Sequence, residues 1–187
     1  MDAAVPDREL VRAVLEQRDV KAFETLVRRY QKPLYGFIRR QVGEKDGADD
    51  LFQQTVFRLY DRLSNLQNPD GFRAWAFGVA ANVCRYEGRS QLARKTVESK
   101  AAEPGWSHQP TPEETAHAGQ LRQKLERVIA QLPPVQREVF VLYSFTRMQY
   151  DEIAVALGVP VGTVKSRMNS ALTQLRGQLG DLDGGAR

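Results

Sequence analysis

One stretch constrains this chain more than any other: Tyr150–Arg176, YDEIAVALGVPVGTVKSRMNSALTQLR. Ile153, Ala154 and Leu157 fall on one face of a short helical period. Gly158 then stands where a left-handed turn favours glycine. Pro160 and Thr163 suit the first turn of a second helix that starts near Val161. In that helix Val164, Met168, Ala171, Leu172 and Leu175 form an apolar stripe. The other face carries Thr163, Lys165, Ser166, Arg167, Asn169, Ser170 and Thr173, with no acidic residue. Short polar groups and arginine reach base edges in a major groove, and cations hold phosphates. Small Ala154 at the crossing and Gly158 at the turn complete a helix-turn-helix. A plain helical hairpin with a solvated face explains any one of these features. Their joint occurrence favours DNA.

The rest of the composition narrows the class. A length of 187 residues suits one or two small domains. The net charge of +4 permits nucleic-acid binding without requiring it. The lone cysteine, Cys84, excludes an intramolecular disulfide and a cysteine-based zinc site within one chain, and reads as a small core residue. His108 and His117 stand in or near a polar segment, with no paired acid or nucleophile, so no enzyme is expected and no cofactor or metal. No apolar run is long enough to span a membrane. The start, MDAAVPDREL, is not a signal peptide, and a cytoplasmic location is expected.

The N-terminal half shows helical periods and no β-strand pattern. Asp7 suits the cap of a helix burying Leu10, Val11, Val14 and Leu15, and Asp19 the cap of the next. Phe23, Leu26, Val27, Tyr30, Leu34, Phe37 and Ile38 then recur at helical spacing, with Pro33 expected to bend or break the helix. The polar face of that helix, with Arg28, Arg29, Lys32, Arg39 and Arg40, fits either solvent or nucleic acid. In ADDLFQQTVFRLYDRL, Phe52, Val56, Leu59, Tyr60 and Leu63 form the stripe, and Leu51 and Phe57 fall off it. Phe57 among acids and amides fits a partner surface, and packing on a neighbouring helix fits it equally. After the turn-rich loop SNLQNPDGF, a helix from Phe72 has Phe72, Trp75, Val79 and Val83 as its core face. Its basic surface, Arg73, Asn82, Arg85, Tyr86, Arg89, Arg94 and Lys95, suits single-stranded or distorted DNA, although Tyr86 also fits the core boundary.

From Thr96 to Pro112 the apolar period fails, and the segment reads as a linker. Its Trp106 fits a local contact slightly better than docking in a groove. Thr111, Pro112, Glu113 and Glu114 suit a helix start, with Leu121, Leu125, Val128, Ile129 and Leu132 as its apolar face. Pro134 opens a further helix with Val135, Val139, Leu142 and Tyr143 inward. The expected fold is all-α, two small helical domains at 1–95 and 113–179 joined by the linker 96–112, the second containing the helix-turn-helix. Residues 180–187 read as a disordered tail.

Taken together, AFETLVRRYQKPLYGFIRR, ADDLFQQTVFRLYDRL, FRAWAFGVAANVCRYEGR, LPPVQREVFVLYSF and DEIAVALGVPVGTVKSRMNSAL resemble the extracytoplasmic-function (ECF) sigma factors, the minimal two-domain class of bacterial transcription initiation factors. These stretches cover nearly the whole chain in the family's order. GVPVGTVKSR alone fits other regulators too; the first-domain stretches single out sigma factors.

The resemblance implies roles. Asp49, Asp50, Leu51, Gln53, Gln54 and Phe57 would contact core RNA polymerase. Gln67, Asn68, Asp70, Arg73, Asn82, Arg85 and Arg89 would open the downstream promoter element and hold a flipped base. Thr163, Lys165, Ser166, Arg167 and Asn169 would read the upstream element. The implied partners are core RNA polymerase, promoter DNA and an anti-sigma factor. The chain departs from the family pattern in three places: Gln54 replaces an acid, Arg147-Met148-Gln149 replaces a glycine-containing turn, and Gly78 replaces a larger residue and should loosen its helix. The rival reading is a stand-alone helix-turn-helix regulator, which would need a ligand pocket or dimer interface in the N-terminal domain.

Overall fold

A computed structural model describes residues 5–43, 47–95 and 116–184, with side chains for 5–43, 47–90 and 123–179. The described residues form eight α-helices and no strand. The first domain holds α1 (Asp7–Gln17), α2 (Val20–Val42), α3 (Ala48–Arg62) and α4 (Phe72–Lys95). The second holds α5 (Ala116–Ala130), α6 (Pro134–Thr146), α7 (Tyr150–Leu157) and α8 (Val161–Gly184). The expected linker 96–112, with Trp106, and the helix start at Thr111–Glu114 lie outside the described residues. The expected tail does not begin at 180, because α8 continues to Gly184.

Helix α1 starts one residue earlier than the capping expectation, since Pro6 stands at the cap and Asp7 is its first residue. The Asp7 carboxylate instead accepts from the Arg29 guanidinium and the Tyr30 hydroxyl of α2. Burial and this acceptor push the Tyr30 hydroxyl well above its ordinary pKa. Asp19 does cap α2, accepting from the amides of Lys21 at 2.9 Å and Ala22 at 3.2 Å. Pro33 does not break α2, which runs unbroken from Val20 to Val42. A proline inside a helix costs about 3 kcal/mol. Burying Leu26, Leu34, Phe37 and Ile38, each at most 1% exposed, offsets that at about 1.5–3 kcal/mol per side chain.

In α3 the buried line is Leu51, Thr55 and Leu59, continued by Leu63 in the short 3-10 turn that follows. Leu51 is thus a core residue, and Tyr60, expected inward, is 52% exposed. The buried stripe runs at i, i+4 through Leu51, Thr55 and Leu59 rather than through Phe52, Val56 and Tyr60, of which the first two are half-buried. It tolerates Thr55 because that hydroxyl donates to the Leu51 carbonyl at 2.7 Å.

Helix α4 is buried on more than one side. Phe72 and Val83 are core, as expected, while Trp75 and Val79 are only half-buried. Phe77, Ala76, Ala80 and Ala81 are also core, and Phe77 packs edge-on to Phe37 with ring centroids 5.8 Å apart. The reason is a second neighbour: α4 packs against α2 and α3 of its own domain and against α7 of the other. A helix covered all round loses the single stripe that sequence periodicity detects.

The second domain buries Val128, Ile129, Leu132, Val139, Leu142, Ile153, Leu157, Val164, Met168, Ala171 and Leu175. Val135 and Tyr143 of α6, expected inward, are 44% and 45% exposed; Glu138, Val141 and Thr146 are buried instead. Arg147 ends α6 with φ 58°, the left-handed conformation that glycine would supply. Met148 is fully buried, and Gln149 caps α7 in a reciprocal capping box with Glu152. Gly158 ends α7 with φ 65°, and α8 begins at Val161.

The domains are in contact. The Arg40 Nη2 donates to Glu126 at 2.6 Å. Arg137 donates to the Gln41 carbonyl of α2 at 2.9 Å, to the Leu132 carbonyl at 2.9 Å and to that of Ala130. One guanidinium thus serves the C-terminal ends of two helices, where orphan carbonyls favour a cation.

Candidate nucleic-acid interface

Helix α8 presents the residues expected to read base edges. Val164 and Met168 anchor it in the core at 0% and 2% exposure. That leaves Lys165, Ser166 and Asn169 exposed and Thr163 and Arg167 half-exposed in its first turns. The Ser166 hydroxyl donates to the Thr163 carbonyl at 3.0 Å, so it remains an acceptor toward a base. All five expected residues therefore occupy one stretch of one helix, held by Gly158 and the packing of Ile153 and Leu157.

The downstream-element set divides. Gln67, Asn68 and Asp70 are exposed in the loop before α4, with Asn68 Oδ1 accepting from the Asp70 amide at 3.0 Å. Asn82 and Arg89 are exposed on α4. Arg73 and Arg85 are not free. Arg85 Nε and Nη2 donate to the two oxygens of Glu138 at 2.7 and 2.8 Å, and Nη1 to Asn82 at 3.2 Å. Arg73 donates to the Thr146 carbonyl and lies 3.6 Å from Glu152. A cleft of about 750 Å³ opens beside these contacts, between the loop with Gln67 and Asn68, α4 with Trp75, and α7 with Val155. Tyr86 is outward, 60% exposed, with the Arg58 guanidinium 6.0 Å from its ring centre. Arg94 and Lys95 lie outside the described side chains.

On α3, Asp49, Asp50, Gln53, Gln54 and Phe57 face outward, and Phe57 is 70% exposed. This decides the two readings of Phe57 in favour of a free surface. Leu51, at 4% exposure, cannot be part of that surface. Burial first, and then the nearby Asp49 carboxylate, raise the Tyr35 hydroxyl above its ordinary pKa. Sequence reasoning missed Glu138 and Glu152 as partners of the α4 cations. The one signal was a carboxylate placed within the apolar run of α6. Among the described residues no group of His, Cys, Asp and Glu could hold a metal ion, and no helix is long and apolar enough to cross a membrane.

Residues 26–94 match the family Sigma-70 region 2, and residues 122–175 match Sigma-70, region 4. The ECF RNA polymerase sigma-E factor of Salmonella typhimurium is 30% identical, over 90% of this chain and 91% of that relative. That of Haemophilus influenzae is 27% identical over 96% and 98%. The ECF RNA polymerase sigma factor SigE of Mycolicibacterium smegmatis is 30% identical over 88% of this chain, which spans 64% of that relative's length. Among solved structures, CnrH in complex with the cytosolic domain of CnrY superposes with a TM-score of 0.66 at 26% identity, covering 94% of this chain and 97% of that one. The sigma factor RpoE of Bartonella quintana, in complex with the anti-sigma factor NepR, shares the fold with a TM-score of 0.75 at 21% identity, covering 86% and 98%. With both sigma regions matched in order and a relative of this identity covered almost end to end, the chain belongs to the ECF sigma factors of RNA polymerase.

Proposed function

We propose that this sigma factor divides its work between its two domains. The first, residues 1–95, docks on core polymerase through Asp49, Asp50, Gln53, Gln54 and Phe57. It opens the downstream promoter element with the loop Gln67–Asp70 and with Arg73, Asn82, Arg85 and Arg89 of α4. The second, residues 113–179, reads the upstream element with Thr163, Lys165, Ser166, Arg167 and Asn169, and residues 96–112 connect the two. The exposed, acid-free start of α8 on the same chain as an exposed Phe57 is the observation that carries this division.

Either domain alone meets few phosphates. Polymerase holding both at one spacing raises the effective concentration of the second contact. Unstacking costs a few kcal/mol per base and is offset when the flipped base is captured. One bidentate contact from α8 is worth about 1–3 kcal/mol of discrimination. The sigma chain performs no covalent step. CnrH and RpoE are each bound by a partner in their structures. By analogy, a separate anti-sigma protein is expected to hold this chain.

Co-migration with bacterial core RNA polymerase on a sizing column tests the assignment. A one-to-one complex is expected, and promoter selection with it then yields the sequence read. A folded chain that forms no complex would point to the stand-alone regulator.

A further inference from the structure

Helix α1 lies ahead of the residues that match Sigma-70 region 2, which begin at 26. Its first turn is held by side chains of α2. Asp7 accepts from the Arg29 guanidinium and the Tyr30 hydroxyl, and Arg29 also donates to the Val5 carbonyl at 2.7 Å. Leu10 and Val11 follow, buried at 8% and 0% exposure. Helix α1 packs on α2, on α4 and on both 3-10 turns of the connection from α3 to α4, Leu63–Asn65 and Pro69–Gly71. Arg8 lies 3.8 Å from Asp70 in the second turn, an exposed pair that by itself contributes little.

The aromatic side chains reach further. The Tyr30 ring packs on Phe72 with centroids 5.5 Å apart, and Phe72 on Trp75 at 5.9 Å. Phe72 is 2% exposed. Trp75 is half-buried and lines the cleft of about 750 Å³ together with Gln67, Asn68 and Asp70. A line of contact therefore runs from the Asp7 carboxylate through three rings to the cleft. Ring pairs have preferred orientations, so a fixed ring limits the next.

We infer that Asp7 and Tyr30 are positioning residues for capture of the downstream element: their bond fixes the Tyr30–Phe72–Trp75 stack while α1 braces the two turns, and together these hold one wall of the cleft ready for an unstacked base. The inference rests on the assignment of the loop Gln67–Asp70 to the downstream element. Asp7 and Tyr30 act through the wall and not by touching DNA. A wall ordered in advance leaves less to order when the base enters, so losing the bond weakens capture.

The promoter selected with the polymerase complex supplies the probe. Each base of its downstream element is changed in turn, and open-complex formation is measured with the full chain on core polymerase. Losses from a residue and a base that act through one contact do not add, whereas independent losses do. Gln67→Ala and Asn68→Ala, in the loop itself, mark the position that the loop reads. Tyr30→Phe keeps the ring and removes only the hydroxyl. It is expected to lower opening of the selected promoter by about two- to tenfold, the worth of one hydrogen bond. That loss should largely vanish when the marked base is already changed and persist in full at the others. Asp7→Ala should behave alike, and Asp7→Asn, which keeps an acceptor for the hydroxyl, should recover most of the activity. A Tyr30→Phe loss that adds at every position, the marked one included, makes the bond merely structural and overturns the inference. No loss at all overturns it too, as does a loss matched by weaker polymerase binding. If the loop variants mark no position, the downstream assignment of the loop fails, and the inference falls with it.

Discussion

Arg85 of α4 and Glu138 of α6 form a two-pronged ion pair across the domains, with donor–acceptor distances of 2.7 and 2.8 Å. Removing one partner of a fully buried pair costs about 3–5 kcal/mol. Here the Arg85 side chain is 33% exposed, so solvent screens part of that loss. Glu138→Ala is expected to destabilise the chain by about 1–2 kcal/mol in urea unfolding. A midpoint equal to the parent's would show that the pair contributes nothing net.

Phe57 is expected to matter for binding and hardly at all for folding. Its 70% exposure predicts that Phe57→Ala shifts stability by less than about 0.5 kcal/mol. If it is an interface anchor worth about 2 kcal/mol, polymerase affinity falls roughly thirtyfold. Thermal melts and competition binding against core polymerase read the two effects separately.

Arg167→Ala is expected to lower transcription from the chain's own promoter by about five- to hundredfold, the range of one base contact. Binding to core polymerase should not change. Loss of both together would mean that Arg167 acts by supporting α8 rather than by touching DNA.

Arg147 holds a left-handed backbone, φ 58°, without being glycine. That conformation costs a non-glycine residue about 1–2 kcal/mol. Glycine avoids it but loses about 0.5–1 kcal/mol of chain entropy. Arg147→Gly should therefore stabilise the chain by about 0.5–1 kcal/mol, seen as a higher urea midpoint. A lower midpoint would show that the exposed Arg147 side chain makes contacts of greater value.

The Cys84 thiol is pushed up to about 12, first by burial and then by the charge of Glu138. In the folded chain it stays protonated and should resist iodoacetamide at neutral pH, reacting only when urea unfolds the protein. Its ordinary value is 9.0, so the neutral thiol favours the fold fully below pH 9. That contribution is lost as pH rises from there toward about 12, and alkaline titration of stability should show the decline. Rapid labelling of the native chain at neutral pH would contradict the burial.

The sequence alone determined the local elements whose signals are local. Gly158 and Pro160 punctuate the helix-turn-helix, Asp19 caps α2, and the apolar stripe of α8 leaves its polar residues facing out. These depend on backbone conformation and on periodicity along one helix, both written within a few residues. The order of the family stretches likewise carried the sigma-factor reading. Only the tertiary structure decided what depends on a neighbour distant in the chain. Leu51 enters the core because α2 and α4 cover that side of α3, whereas nothing covers Phe57 among the described residues. Pro33 is carried through α2 by the packing around it. Arg73 and Arg85 read as free cations in sequence, and Gly78 as a defect in a helix, yet a Cβ on Gly78 would stand 2.5 Å from the Ala156 carbonyl oxygen of α7. Each takes its meaning from α6 and α7, whose backbone carbonyls and carboxylates come within bonding distance only when the two domains meet.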